Sequence, residues 1–298
     1  HKIGIAKGLA YIDFPVNRTE LYQDYRRNPQ ELMKIRSTID SIRSDADTRI
    51  LSVSVKGYAS PEGPYANNAR LAKGRTEMLR RYVQGLYDFP DTLLVASYEP
   101  EDWEGLARYV ETSDLPNKTG ILELIGSGME PDVKELELKK RYPADYAYLY
   151  RKVYPGLRHS DYAVQYHVRI YTDVAEIRRL MTTEPQKLSL QELYLVAQDC
   201  VPGSDEYNEV FAIAVRMFPD DETANLNAAN TAMGLGDLKN AGRYLAKSGM
   251  RAEAIYARAI FAALNNDYDT AKKLFTEAQR GGIAQAAGAL KQLEEIKK

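Results

Sequence analysis

The stretch from Val53 to Val83, VSVKGYASPEGPYANNARLAKGRTEMLRRYV, constrains the fold more than any other part of this chain. An apolar run through Val53 and Val55 stops at Lys56-Gly57 and reads as the end of a strand. Tyr58-Ala59-Ser60-Pro61-Glu62-Gly63-Pro64 follows, a turn by its two prolines and its glycine. Asn67 to Tyr87 then carries Leu71, Met78, Leu79, Tyr82, Val83 and Leu86 at helical spacing, the buried stripe of a long helix. A strand feeding a helix through a short turn belongs to folds that layer helices on a sheet.

The flanking segments extend that pattern. Gly8 to Phe14 reads as a first strand, and Glu31 to Ile42 as a helix with Leu32, Ile35, Ile39 and Ile42 behind Pro29. Ile50 to Val55, Asp91 to Tyr98 and Ala163 to Tyr171 supply three more strands. Between the last two, roughly Glu99 to Arg158 is too long for a structureless loop in a compact domain. Helices are expected there at Trp103 to Glu111, Lys118 to Ile125, Val133 to Lys140 and Tyr142 to Tyr154, with Trp103 as a packing anchor. The fold class is α+β, a βαβαββ sandwich with a helical insertion at about 99–160.

Tyrosine marks where this part ends. Residues 1–172 hold 17 of the 22 tyrosines and residues 173–298 only 5, while alanine crowds the second half. Aromatic, strand-favouring sequence gives way to small, helix-favouring sequence, which places a boundary near Asp173 and domains at 1–172 and 173–298. In the second part Tyr207, Phe211, Ala214 and Pro219 match positions of a tetratricopeptide-type repeat. Ala241 lies 34 residues after Tyr207, and Ala271, Phe275 and Ala278 form a shortened copy. Gly236-Asp237 and Asn266-Asp267 sit at the turns within each unit, so an all-α, tetratricopeptide-like domain is expected.

Composition narrows the chemistry. Forty basic against forty-two acidic side chains, a net charge of −2, lack the basic footprint of a nucleic-acid binder. One cysteine, Cys200, excludes an internal disulfide and a thiolate cluster, and with only His159 and His167 besides His1 a zinc site is not expected. No run reaches the ~18 apolar residues of a membrane span. The start at His1-Lys2-Ile3-Gly4 has no signal-peptide pattern and no methionine, so a cut from a longer chain is expected. Lys73-Gly74-Arg75-Thr76 lacks the upstream glycine of a phosphate loop. Glu99, Glu101 and Asp102 read as a solvated face beside no base, His167 as a strand residue in packing or solvent, and Cys200 as a small core residue. No nucleophile, base and oxyanion donor assemble, so neither an enzyme nor a cofactor is expected.

Gly57, Gly63 and the run Asn68-Ala69-Arg70-Leu71-Ala72-Lys73-Gly74-Arg75 resemble the C-terminal domain family of outer membrane protein A (OmpA-like). Its pattern runs G-H-T-D-x-x-G and then N-x-x-L-S-x-x-R-A. Phe14-Pro15-Val16-Asn17 through Leu21 is similar to the family's first strand and loop, and the resemblance covers residues 8–98 and 161–172. FPVNRT, GYASPEG, EDWEGL, SDLPNK and YPGLR, with MFPDDETANLNAAN in the tail, resemble OmpA-family proteins of Bacteroides-type bacteria.

The resemblance implies a non-enzymatic cell-envelope protein at the periplasmic face of the outer membrane or the cell surface. Its domain would bind the diaminopimelate-containing stem peptide of peptidoglycan. It further implies that Arg75 grips a carboxylate and that Asn68 belongs to the site. The family's ammonium-binding aspartate falls on Ser60, which carries no charge, and Glu62 could substitute for it. Asn17, after the first strand, is a further ligand-contact candidate. Arg75 is otherwise expected to pair with Glu62 or Glu77, and Asn68 to be a turn or cap residue. The family's paired arginines near the last strand fall around Tyr166-His167. An alternative follows from Ser60: an interaction or adhesion component that kept the fold without the ligand, with a protein partner on the helical repeats.

Overall fold

The computed structural model describes residues 2–296, and the chain divides into two compact units after Arg169. The first is α+β. Its sheet has four strands, β1 (Ile3–Ala10), β2 (Thr48–Tyr58), β3 (Leu94–Glu99) and β4 (Ser160–Val168), in the order β1-β4-β2-β3. β2 and β3 are parallel, whereas β4 runs antiparallel to both β1 and β2, so the sheet is mixed.

Helices α1 (Asn28–Arg43) and α2 (Tyr65–Tyr87) pack against one face of the sheet. α1 starts at Asn28-Pro29, where a proline costs no helical hydrogen bond, and presents Leu32, Ile35, Ile39 and Ile42 to the core. α2 contributes Leu79 and Val83, which meet Val53, Val55, Leu94, Tyr162 and Val164 from the strands. β2 carries an irregularity between Ile50 and Ser52. That shift puts Ile50 in phase with Val53 and Val55.

The first strand lies earlier than expected, at Ile3–Ala10 rather than Gly8 to Phe14. Side chains of α1 take the backbone donors of the later residues: Glu31 accepts from the Tyr11 N–H (3.0 Å) and Asn28 from the Asp13 N–H (2.7 Å). Those groups cannot join a sheet ladder. Upstream, Gly4 and Gly8 look like poor strand residues, yet a Cβ at either would overlap the Tyr166 or Tyr162 ring lying across β1. Aromatic cover replaces the missing side chains.

Between β3 and β4 run α3 (Trp103–Thr112), α4 (Lys118–Ile125), α5 (Pro131–Arg141), α6 (Pro143–Lys152) and the single turn α7 (Tyr154–Leu157). They share a core of their own around Leu106, Ile121, Leu138, Leu149 and Tyr154, with Trp103 packed against it. The expected Tyr142 to Tyr154 helix is cut at Val153, ahead of Pro155, so α7 begins anew.

The second unit is all helical: α8 (Val174–Thr183), α9 (Leu190–Asp199), α10 (Asp205–Met217), α11 (Glu222–Gly234), α12 (Leu238–Leu245), α13 (Ala252–Leu264), α14 (Tyr268–Arg280) and α15 (Gln285–Ile296). Tyr171, expected in the last strand, belongs here: it is fully buried and its N–H is bound to Glu192 (2.8 Å). The α11/α12 and α13/α14 turns share one chemistry. Gly236 (φ 76°) and Asn266 (φ 62°) take the left-handed conformation, and Asp237 and Asp267 then cap the following helices. Ala241, Ala271 and Ala278 are fully buried, so small side chains stand where these helices pack. Among the described residues no helix is long and apolar enough to cross a membrane.

Candidate functional site

The end of β2 meets the middle of α2 at Gly57. A Cβ there would overlap Thr76 Oγ1, and that hydroxyl is itself committed to the Ala72 carbonyl at 2.7 Å. The close approach brings α2 onto the strand end beside the start of β4. A cavity of about 30 Å³ results, lined by Phe14, Gly57, Arg75, Arg158, His159 and Ser160 among others. Such a volume takes one or two water-sized groups, the size of a carboxylate head.

Arg75 is the sequence-expected residue that lines this cavity. Its guanidinium lies over the Phe14 ring at 5.0 Å, and its Nε donates to the Arg18 carbonyl at 2.9 Å. Burial, together with Arg158 and Arg70, pushes its pKa below the usual arginine value, and both Arg75 and Arg158 line the pocket. Neither expected acid reaches it. Glu62 pairs with Arg158 (2.8 Å), and Glu77 pairs with Arg80 (2.7 Å) and Arg81 (3.2 Å). Among the described residues Arg75 has no carboxylate partner.

Ser60, Glu62, Asn68 and Asn17 are held elsewhere. Ser60 is 3% exposed, and its Oγ accepts from Arg158 Nε at 2.9 Å. Asn68, also buried, donates to the Ser60 and Glu62 carbonyls (3.3 and 2.8 Å) and to Glu101 (2.9 Å), locking the 58–64 turn onto α2. Asn17 is exposed with φ 59°, and its side-chain oxygen accepts from Asn67 and Arg70, each at 3.0 Å. None of these four lines the cavity.

Two residues that sequence reasoning passed over complete the site. Arg158 closes the YPGLR segment, and His159 opens the approach to β4. His159 stacks on Tyr58 with ring centroids 4.3 Å apart, and its Nε2 lies 3.1 Å from Asp102. Its Nδ1 is 2.9 Å from Asp161 but out of line for a hydrogen bond. Tyr58 donates to Asp161 (3.1 Å), and burial first, then that carboxylate, pushes its phenol up to about 12.

The reading of Glu101 and Asp102 as a solvated face beside no base is overturned. They are 3% and 2% exposed. Glu101 accepts from Asn68 and from the Trp103 indole (2.8 Å), while Asp102 caps α3 through the Gly105 N–H (2.9 Å) and meets His159. Burial raises the Glu101 pKa; in Asp102 those bonds outweigh burial and hold it below the usual carboxylate range. Both acids face inward because each has donors waiting at the β3–α3 junction. Cys200, expected in the core, is half-buried at the end of α9. Among the described residues no group of three or more His, Cys, Asp or Glu could hold a metal ion.

In the second unit, open clefts run beside α11. One of about 350 Å³ has Asp205, Glu209 and Asp237 around Ala228, Ala232 and Tyr244. Another of about 270 Å³ is lined by Tyr207, Asn208, Phe211, Asn227 and Asn230. No protein-family model matches the chain, and no curated protein matches its sequence.

Proposed function

We propose that this chain is a non-enzymatic cell-envelope protein. Its first unit is an OmpA-like domain that associates with peptidoglycan at the periplasmic face of the outer membrane, and its second is a tetratricopeptide-like unit that docks a protein. The observation carrying the reading is Arg75, a half-buried guanidinium at a carboxylate-sized cavity with no acid of its own among the described residues. The succession β1-α1-β2-α2-β3, helical insertion, β4 is in keeping with the resemblance of the Gly57 to Arg75 pattern. Arginine holds a carboxylate through two parallel hydrogen bonds, which lysine reproduces poorly. Retention on purified sacculi is therefore expected to fall by tenfold or more in Arg75→Ala and to return only partly in Arg75→Lys. Equal retention of wild type and Arg75→Ala would remove the assigned role.

A second reading has its own support. Ser60 and Glu62, the candidates for holding a ligand ammonium, are both engaged by Arg158. An interaction or adhesion component that kept the fold and uses its helical clefts for a protein partner fits that engagement. Absence of any sacculus retention by the wild type would favour it.

A further inference from the structure

We infer that Arg158 is a built-in cation that makes the cavity selective for a bare carboxylate over an amino acid; the inference rests on the proposed role of Arg75. Arg158 stands between the cavity and the two sequence-expected ammonium-binding candidates, Ser60 and Glu62. Its Nε is satisfied by Ser60 Oγ at 2.9 Å and its Nη2 by Glu62 Oε1 at 2.8 Å, while the side chain itself lines the cavity. Ser60 and Glu62 do not. The second Glu62 oxygen is buried without a hydrogen-bond partner, and Glu62 acts electrostatically on Glu135, Tyr146 and Tyr154 of the insertion.

A ligand entering this cavity meets two guanidiniums and no carboxylate among the lining residues. Arg75 offers its fork to an anion. An ammonium beside that anion would lie against Arg158 with no carboxylate lining the cavity to neutralise it. Like charges brought together in a partly desolvated site repel far more than in bulk water. The Coulomb preference therefore runs opposite to that of a site built for a zwitterion. Neither Asp102 nor Asp161 lines the cavity; Asp102 meets His159, and Asp161 accepts from Tyr58.

The test compares two probes with one carbon skeleton, pimelate and meso-diaminopimelate, by calorimetric titration of the full chain. Wild type is expected to bind pimelate at least as tightly as the diamino acid, and Arg75→Ala to lose both. Arg158→Gln frees Glu62 to face the cavity and is expected to shift the ratio about tenfold toward diaminopimelate. Arg158→Lys keeps a cation but cannot bridge Ser60 and Glu62, so its ratio should fall between the two; it also stands in should Arg158→Gln not fold. A wild type preferring diaminopimelate tenfold or more overturns the inference. So does a ratio unmoved by either Arg158 variant, or failure of both acids to bind. Arg75-dependent sacculus retention, measured alongside, separates these outcomes from failure of the peptidoglycan reading: retention can persist while the selectivity claim falls.

Discussion

Arg158 and Ser60, 98 residues apart in sequence, are joined by a 2.9 Å hydrogen bond from the guanidinium Nε to the serine Oγ. The bond ties the approach to β4 to the turn after β2. It also leaves the serine hydroxyl facing an internal cation.

Ser60→Asp is expected to give no gain in ammonium recognition by itself. The new carboxylate would form a charge-assisted pair with Arg158, which is already in place, before any ligand arrived. Diaminopimelate affinity should change less than about threefold in the single variant. In Ser60→Asp/Arg158→Gln it should rise by about tenfold, since a charge-assisted hydrogen bond is worth roughly 1.5–3 kcal/mol before desolvation is subtracted. A double-mutant cycle by calorimetry reads the coupling. Additive effects would break the link between the two positions.

Asn68→Ala should destabilise the first unit by about 2–3 kcal/mol. One side-chain amide binds two turn carbonyls and one oxygen of the buried Glu101 carboxylate, and its removal takes a donor from each, though Glu101 keeps the Trp103 indole. Urea denaturation followed by tyrosine fluorescence measures the loss. A change below about 0.5 kcal/mol would mean that water replaces the amide freely.

Gly57→Ala is expected to cost about 1–3 kcal/mol, the range for forcing a methyl into a filled contact. The overlap is with Thr76 Oγ1; Thr76 Cβ at 3.3 Å is a tight contact and the Ala72 carbonyl at 3.5 Å an ordinary one. Gly57→Ala/Thr76→Ala should therefore recover part of the loss in thermal unfolding. A double variant no better than the single one would place the strain elsewhere.

Acid pH should relieve one local cost. Glu135 accepts from Tyr146 at 2.9 Å, but burial outweighs that bond and raises its pKa above the usual 4.5, as burial also does for Glu101. A raised carboxyl binds protons more tightly in the folded state. Its contribution is then most favourable at low pH and is lost as pH rises from the unfolded value through the folded one. Asp13 and Asp102 are lowered, by Arg27 and by the His159 and Gly105 contacts, and act with the opposite sign below about pH 4. Glu135→Gln is expected to flatten the decline in melting temperature as pH rises above about 4.5. An unchanged slope would show that Glu135 does not contribute to it.

The helices were legible because their information is local. Lys118–Ile125 has the bounds expected from the sequence, and the Gly236-Asp237 and Asn266-Asp267 turns lie where their residue types placed them. Strand β1 was misplaced because its residues are small and its end is set by Glu31 and Asn28 on another element. The pattern Asn68-x-x-Leu71-x-x-x-Arg75 was visible in the sequence, and so was the missing charge at Ser60. That Asn68 braces a turn while Arg75 alone of the five expected residues lines a cavity was not visible, since both lie on one helix at regular spacing. Nor did anything near Arg158 in the chain reveal its two acceptors. Side-chain periodicity is written along a segment of ten or twenty residues, but the partner of a charge is chosen by whichever distant segment the sheet brings within 3 Å. Local spacing therefore determined the helices and turns of this protein. Only the tertiary structure decided which cation faces the cavity and which acid it keeps away.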